Sequence, residues 1–123
     1  MKLIYVAGPF NGTVERNIRE VEDLARRLVA AFPEAQPVVP HSLGRVLFGA
    51  QSEERACAGT LLLMSVCHAL LLTRRWRESR GATQERAEAL RLGLPVFEEH
   101  EVFNGSTAFE TWLAESERSD RAD

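Results

Sequence analysis

The sequence predicts an α/β domain, a small doubly wound sheet of the flavodoxin or Rossmann kind, with parallel strands and helices on both faces. Three observations carry this reading. Short apolar, β-rich runs alternate with amphipathic segments of helical period, which is the pattern of successive βαβ units with right-handed crossovers. The runs are apolar along their length, as strands covered on both faces must be. The chain has 123 residues, enough for a single core.

Taken in order, Lys2 to Ala7 (KLIYVA) is an apolar run closed by the turn residues of GPFNGT, and reads as a buried first strand. Val14, Ile18, Val21, Leu24, Ala25 and Leu28 then recur at steps of three and four with charges between them, one apolar stripe on a helix ending near Pro33. Gln36 to Pro40 (QPVVP) is a short second strand, and His41 to Gly44 a loop. Ser52 is placed to cap a helix running to about Ser65, with Glu53 and Glu54 suiting its positive end. Ala69 to Thr73 is the third strand. A helix from about Ala82 to Leu92 stops at Gly93, and Pro95 to Phe97 resumes as strand. Thr107 and Glu110 have capping-box spacing at the start of a last helix carrying Trp112 and Leu113. The domain is expected to span residues 1–115, with 116–123 a frayed tail.

Charge and cysteine usage narrow the function classes. Fifteen Lys and Arg against 18 Asp and Glu give a net charge of -3, which disfavours a general nucleic-acid binder, because such affinity comes from clustered cations on phosphates. Cys57 and Cys67 match neither a CxxC pair nor a zinc knuckle, and read as buried thiols in a reducing compartment. The longest apolar stretch, Leu61 to Leu72, is broken by Ser65 and His68 and falls short of the roughly 20 residues that span a bilayer. A cytoplasmic protein with no membrane contact is expected.

In a doubly wound fold ligands bind beyond the carboxyl ends of the strands. That directs attention to Gly8 to Gly12, His41 to Gly44, and Thr73 to Glu85. The turn Gly8-Pro9-Phe10-Asn11-Gly12-Thr13 has two glycines and precedes a helix N-terminus, which suits an anion but equally suits a plain turn. It carries neither GxGxxG nor a P-loop lysine. In Trp76-Arg-Glu-Ser-Arg-Gly-Ala-Thr-Gln-Glu85, Ser79 sits at a cap position, Gly81 permits close approach, and Glu85 lies about one turn into the helix. A hydroxyl there can donate to a phosphate and a carboxylate can meet a sugar carbon; the bland alternative is a cap and a dipole-complementing acid. His41 follows the second strand at the ligand-binding edge, where it can orient a substrate or exchange a proton. His41, His68 and His100 have no metal-ligand spacing, and His68, entering a strand, reads as structural. Arg74, Arg75, Arg77 and Arg80 form a local basic cluster that either attracts a phosphate or is simply solvated, and Trp76 either stacks on a base or packs.

Taken together, IYVAGPFNG, PVVPH, LLLMSVCHALLL, W-x-x-S-x-G-A-x-x-x-E and G-L-P-V-F resemble the nucleoside 2-deoxyribosyltransferase superfamily, from Leu3 to about Phe97. The likeness is to its short branch of phage and bacterial proteins of unknown function, similar in turn to deoxynucleoside 5'-monophosphate N-glycosidases. The most specific element is Ser79-x-Gly81-x-x-x-Glu85 with Ala89 four residues on. The resemblance implies that Glu85 is the nucleophile attacking the anomeric carbon, following the logic of a retaining glycosidase. It implies a serine at 79 for monophosphate hydrolases where transferases carry an aspartate, and the physics agrees, since a carboxylate there would repel a 5'-phosphate. It further implies that Gly8, Pro9, Phe10, Asn11 and Gly12 form the phosphate and sugar loop, that His41 lines the site and Tyr5 reaches it, that no cofactor or metal is needed, and that the protein is a homodimer or larger. Asn104 and Ser106 are candidates for completing a neighbour's pocket. The chain departs from the family's D-x7-D pattern, having Thr60 and His68 at those positions. The first of those aspartates manages the proton of the leaving base, a role commonly worth about 10² to 10⁴ in rate, which Glu53, Glu54 or His41 would have to assume.

The expected function is therefore hydrolysis of the base–sugar bond of a (2'-deoxy)nucleoside 5'-monophosphate through Glu85. The alternatives are a catalytically weakened nucleotide-binding or sensing module, motivated by Thr60, and a base-exchanging transferase, disfavoured by Ser79.

Overall fold

The computed structural model of the protein describes residues 1–9, 14–41, 49–104 and 108–122. Its centre is a four-stranded, all-parallel sheet in the order β2-β1-β3-β4, built from β1 (Lys2–Ala7), β2 (Ala35–Val38), β3 (Ala69–Leu72) and β4 (Val96–Glu98). β1 is interior: Tyr5 stands opposite Val38 on one side and Leu70 on the other. Beside the strands run α1 (Val14–Ala31), α2 (Glu53–Ser65), α3 (Arg80–Leu92), α4 (Glu99–Phe103) and α5 (Ala108–Ala122), with a 3₁₀ turn at Trp76–Glu78. The doubly wound α/β class is as the alternation of runs predicted.

Strand alternation sorts the core into two layers. Ile4, Val6, Ala69, Leu71 and Phe97 point to one face and pack against Val21, Leu24 and Leu28 of α1, Val102 of α4, and Phe109 and Leu113 of α5. Phe109 makes edge-to-face contacts with Phe32 and Phe97, at centroid distances of 5.0 and 5.1 Å. Tyr5, Ala7, Leu70 and Leu72 point to the other face, against Met64 of α2, Cys67, Trp76, and Ala82 and Ala89 of α3. The two faces therefore carry different neighbours to the carboxyl edge, and Tyr5 belongs to the α2 and α3 side.

Several boundaries differ from expectation, each for a local reason. The second strand is Ala35–Val38 rather than Gln36 to Pro40, because pairing with Lys2 to Tyr5 begins at Ala35; Pro37 is tolerated on this edge strand, which has only one partner. Pro40, expected as strand, and His41, expected as loop, have helical backbone. Thr73 lies just past β3, although its N–H still donates to the Ala7 carbonyl at 2.9 Å. α3 begins at Arg80, two residues early, because Ser79 is itself the cap. α4 was not anticipated; Glu98 and Glu101 close a reciprocal capping box at its start. α5 continues to Ala122, past the fraying expected from Ser116. The expected cap at Thr107 and the loop from Ser42 to Gly44 lie outside the described residues.

Candidate active site

β1 delivers Tyr5 to the carboxyl half of the sheet with its side chain fully buried on the α2 and α3 face. α3 delivers Glu85 opposite it. The chain enters α3 in extended backbone at Ser79, whose Oγ accepts the Ala82 N–H at 3.0 Å, and leaves it at Gly93, whose φ of 77° is the left-handed stop. Fixed at both ends, the helix turns Glu85 inward. The Tyr5 hydroxyl donates to Glu85 Oε2 across 80 residues of sequence.

Burial raises the Glu85 carboxyl from 4.5 to about 7, against the Tyr5 hydrogen bond, which pulls it down. Burial and, after it, the adjacent carboxylate push the Tyr5 phenol far above its ordinary value, so it serves as a neutral donor. Oε1 has no partner among the described residues. Near pH 7 the site thus offers a carboxylate, held by one oxygen, in a partly buried setting. That is the equipment of a nucleophile or general base.

Thr60 joins this pair. It sits on α2 with its hydroxyl donating to the Cys57 carbonyl at 3.0 Å and reaching the Tyr5 hydroxyl. A few residues away the Cys57 thiol faces Gln84 Oε1 at 3.7 Å, joining α2 to α3. Cys57 is half-buried, not buried as expected, because it lies at this inter-helix edge; Cys67 is buried.

The other predicted residues divide. His41 is buried and its Nε2 lies 3.0 Å from the Gly8 carbonyl and 2.8 Å from that of Pro9, so this nitrogen carries the proton and donates to both. Burial lowers its pKa, with the carbonyls opposing. This ties the turn after β1, with His41 as a tether for Gly8 and Pro9. Phe10, Asn11 and Gly12 lie outside the described residues. Gly8 is required by packing: a Cβ there would stand 2.5 Å from Thr73 Oγ1. Gly81 is not required in this way, since a Cβ would meet only Ser79 Oγ, at 3.8 Å. His68 is structural as predicted, its Nδ1 accepting the Leu3 N–H at 2.9 Å.

The basic cluster is largely committed. Arg75 bonds Glu20 and Asn17 of α1, Arg77 pairs with Glu98, and Arg77 and Arg86 both lie over Trp76. Trp76 is 7% exposed and donates to Glu98 Oε1 at 2.9 Å, so it packs and does not present a face for a base. Arg74 and Arg80 are exposed members with no such partners among the described residues. Glu98, His100 and Glu101 approach within 4.8 Å of one another, but Glu98 is engaged by Trp76 and Arg77 and Glu101 by the Glu98 N–H, which makes the group a helix cap. No helix of the described residues is long and apolar enough to cross a membrane.

The sequence singled out Tyr5 and Glu85 separately, by strand position and by motif. Their bond, and the place of Thr60 beside it, had no signal in spacing, since they join three elements distant in sequence. No curated protein matches the chain. A family model does match over residues 2–99, the whole of the sheet and of the site just described, and on that match the chain belongs to a domain family of unknown function, DUF7768.

Proposed function

We propose that the protein is an N-glycosidase that hydrolyses the base–sugar bond of a (2'-deoxy)nucleoside 5'-monophosphate, with Glu85 as nucleophile. The observation that carries this reading is the partly buried Glu85 carboxyl held by Tyr5, one and a half turns after a serine-capped helix start at the carboxyl edge of a parallel sheet. Glu85 would attack C1', the C1'–N bond would break with its electron pair leaving on the base, water would then attack C1' and break the ester bond to restore the carboxylate, and the proton that water releases would pass to the base. Tyr5 is the positioning residue for that carboxylate. Ser79 Oγ accepts from Ala82, so its own proton is available to a phosphate oxygen, and Gly81 beside it leaves room that the fold itself does not need.

Base release from a panel of nucleoside 5'-monophosphates, ribo and 2'-deoxy, tests the assignment. Release is expected from at least one and should fall by 10³ or more in Glu85→Gln, on the scale of losing a catalytic nucleophile. No release, or undiminished release in the variant, refutes it. One observation favours a second reading: the neutral Thr60 beside Tyr5, the residue that holds Glu85, suits a module that binds a nucleotide without cleaving it. Calorimetric binding with the ligand recovered intact would establish that alternative. The proposal includes a cytoplasmic homodimer or larger assembly, supported by Leu62 and Val66 at the end of α2, which are 70% and 62% exposed.

A further inference from the structure

From the groups around Glu85 we infer that the substrate is a nucleotide whose base carries a fixed positive charge, such as a ring-alkylated purinium or an N-linked pyridinium, in preference to its neutral counterpart. This rests on the N-glycosidase reading above and narrows its substrate class.

A neutral base departs as an anion unless an acid protonates it, and such an acid commonly contributes about 10² to 10⁴ in rate. Among the described residues, the surroundings of Glu85 offer none. β1 presents Tyr5, whose phenol burial and the adjacent carboxylate hold far above neutrality. α2 presents Thr60, a hydroxyl donating to a backbone carbonyl, and Cys57, whose thiol faces Gln84. The buried Cys67 thiol is pushed up to about 11 and faces the Leu63 carbonyl. α3 presents Gln84 and, one turn on, Glu88, which is paired with Arg91; its cap Ser79 offers only a hydroxyl, and Glu78 of the 3₁₀ turn is exposed and paired with Arg75. The Nε2 proton of His41 is held between the Gly8 and Pro9 carbonyls. Glu53 and Glu54 are exposed in the first turn of α2, about 10.5 and 9 Å along the axis from Thr60 at 1.5 Å per residue. The segments 10–13, 42–48 and 105–107 contain no carboxyl, imidazole, thiol or phenol side chain in their sequence. Glu110 and Glu115 of α5 belong to a helix packed on the opposite face of the sheet through Phe109 and Leu113.

A base with a fixed positive charge removes the need. The Glu85 carboxylate bonds to C1', the C1'–N pair returns to the ring nitrogen and cancels its charge, and the base leaves neutral with no proton transferred. Water then attacks the glycosyl ester, the C1'–O bond to Glu85 breaks, the carboxylate is regenerated, and the surplus water proton passes to solvent. An anionic nucleophile with neutral flanking groups also attracts such a ring more than an uncharged one.

The test compares 7-methylguanosine 5'-monophosphate with guanosine 5'-monophosphate, the same base and sugar with and without the charge, by base release at pH 6.5, where the methylated base keeps its N1 proton and its charge, and follows the unmethylated nucleotide across pH 5 to 8.5. The expected result is a kcat/KM for the methylated nucleotide more than tenfold higher, on the order of 10², and, for the unmethylated one, a single rising limb near pH 7 from Glu85 ionisation with no decline up to pH 8.5. A ratio of tenfold or less, or a rate for the unmethylated nucleotide that falls above pH 7 as a protein acid loses its proton, overturns the inference. If both nucleotides are cleaved at similar rates and Glu85→Gln abolishes both, only this inference falls. If neither is cleaved, the N-glycosidase reading falls with it.

Discussion

Two glycines at the proposed site answer to different physics, and a matched pair of substitutions separates them. At Gly8 a methyl group would stand 2.5 Å from Thr73 Oγ1 and 2.9 Å from its Cγ2, inside any van der Waals contact. Gly8→Ala is expected to lower stability by about 1 to 3 kcal/mol, the usual cost of overpacking, and shortening the neighbour in Gly8→Ala with Thr73→Ser should recover part of it. At Gly81 the same methyl meets nothing closer than 3.8 Å and replaces a glycine in the first turn of a helix. Gly81→Ala should therefore raise stability by about 0.5 to 1 kcal/mol while raising KM for a nucleotide, because only a ligand needs that space. Chemical denaturation with steady-state kinetics reads both arms. A Gly81→Ala protein that is more stable and kinetically unchanged would remove Gly81 from the site. Sequence could nominate both glycines, since turn glycines stand out, but not tell them apart, because Thr73 lies 65 residues from Gly8.

The placement of Glu85 is a property of α3 as an element. Ser79→Ala removes the side-chain acceptor for the Ala82 N–H and should cost about 1 kcal/mol. Ser79→Asp keeps a capping oxygen and adds a charge that suits the helix N-terminus, so stability should hold or improve, yet binding of any 5'-monophosphate should weaken at least tenfold. Thermal melting and nucleotide titration on the two variants separate the capping role from the phosphate role, and equal nucleotide affinity in wild type and Ser79→Asp would argue against a phosphate at that position. This element was legible because its signals are local: a cap, an apolar period and a terminal glycine within fifteen residues. α4 was not, since EHEVF follows a strand directly and its cap is Glu98, a residue that propensity does not favour there. The strand order and the two-faced core were legible only as a class. Which face received Tyr5 was decided by pairing with β2 and β3, and the contact with Glu85 follows from that placement.

Across the whole molecule, the groups held away from their ordinary protonation set how stability responds to pH. His41 and His68 are both depressed chiefly by burial, and His68 must stay neutral for its Nδ1 to accept the Leu3 N–H. Their contribution is fully present above the unfolded value of about 6.5 and declines as pH falls below it, since the unfolded chain binds the protons more readily. Glu85 acts in the opposite sense. Its carboxyl is raised from 4.5 to about 7, so its contribution is full below 4.5 and is lost as pH rises to about 7, where the folded protein must at last accept a partly buried charge. Between about pH 5 and 6.5 the opposing slopes offset each other, and wild-type stability should vary little there. Glu85→Gln removes the ionisation while keeping an amide that can accept from Tyr5. The variant should gain stability relative to wild type as pH rises, approaching roughly 3 kcal/mol above pH 7.5 as an upper value for a shift of this size, and its own profile should climb to about pH 6.5 and then level. Urea denaturation of both proteins at half-unit intervals from pH 4.5 to 8.5 measures the difference curve. A difference independent of pH would mean that Glu85 ionises in the fold as it does in the unfolded chain, and the strained carboxylate on which the nucleophile assignment depends would be absent.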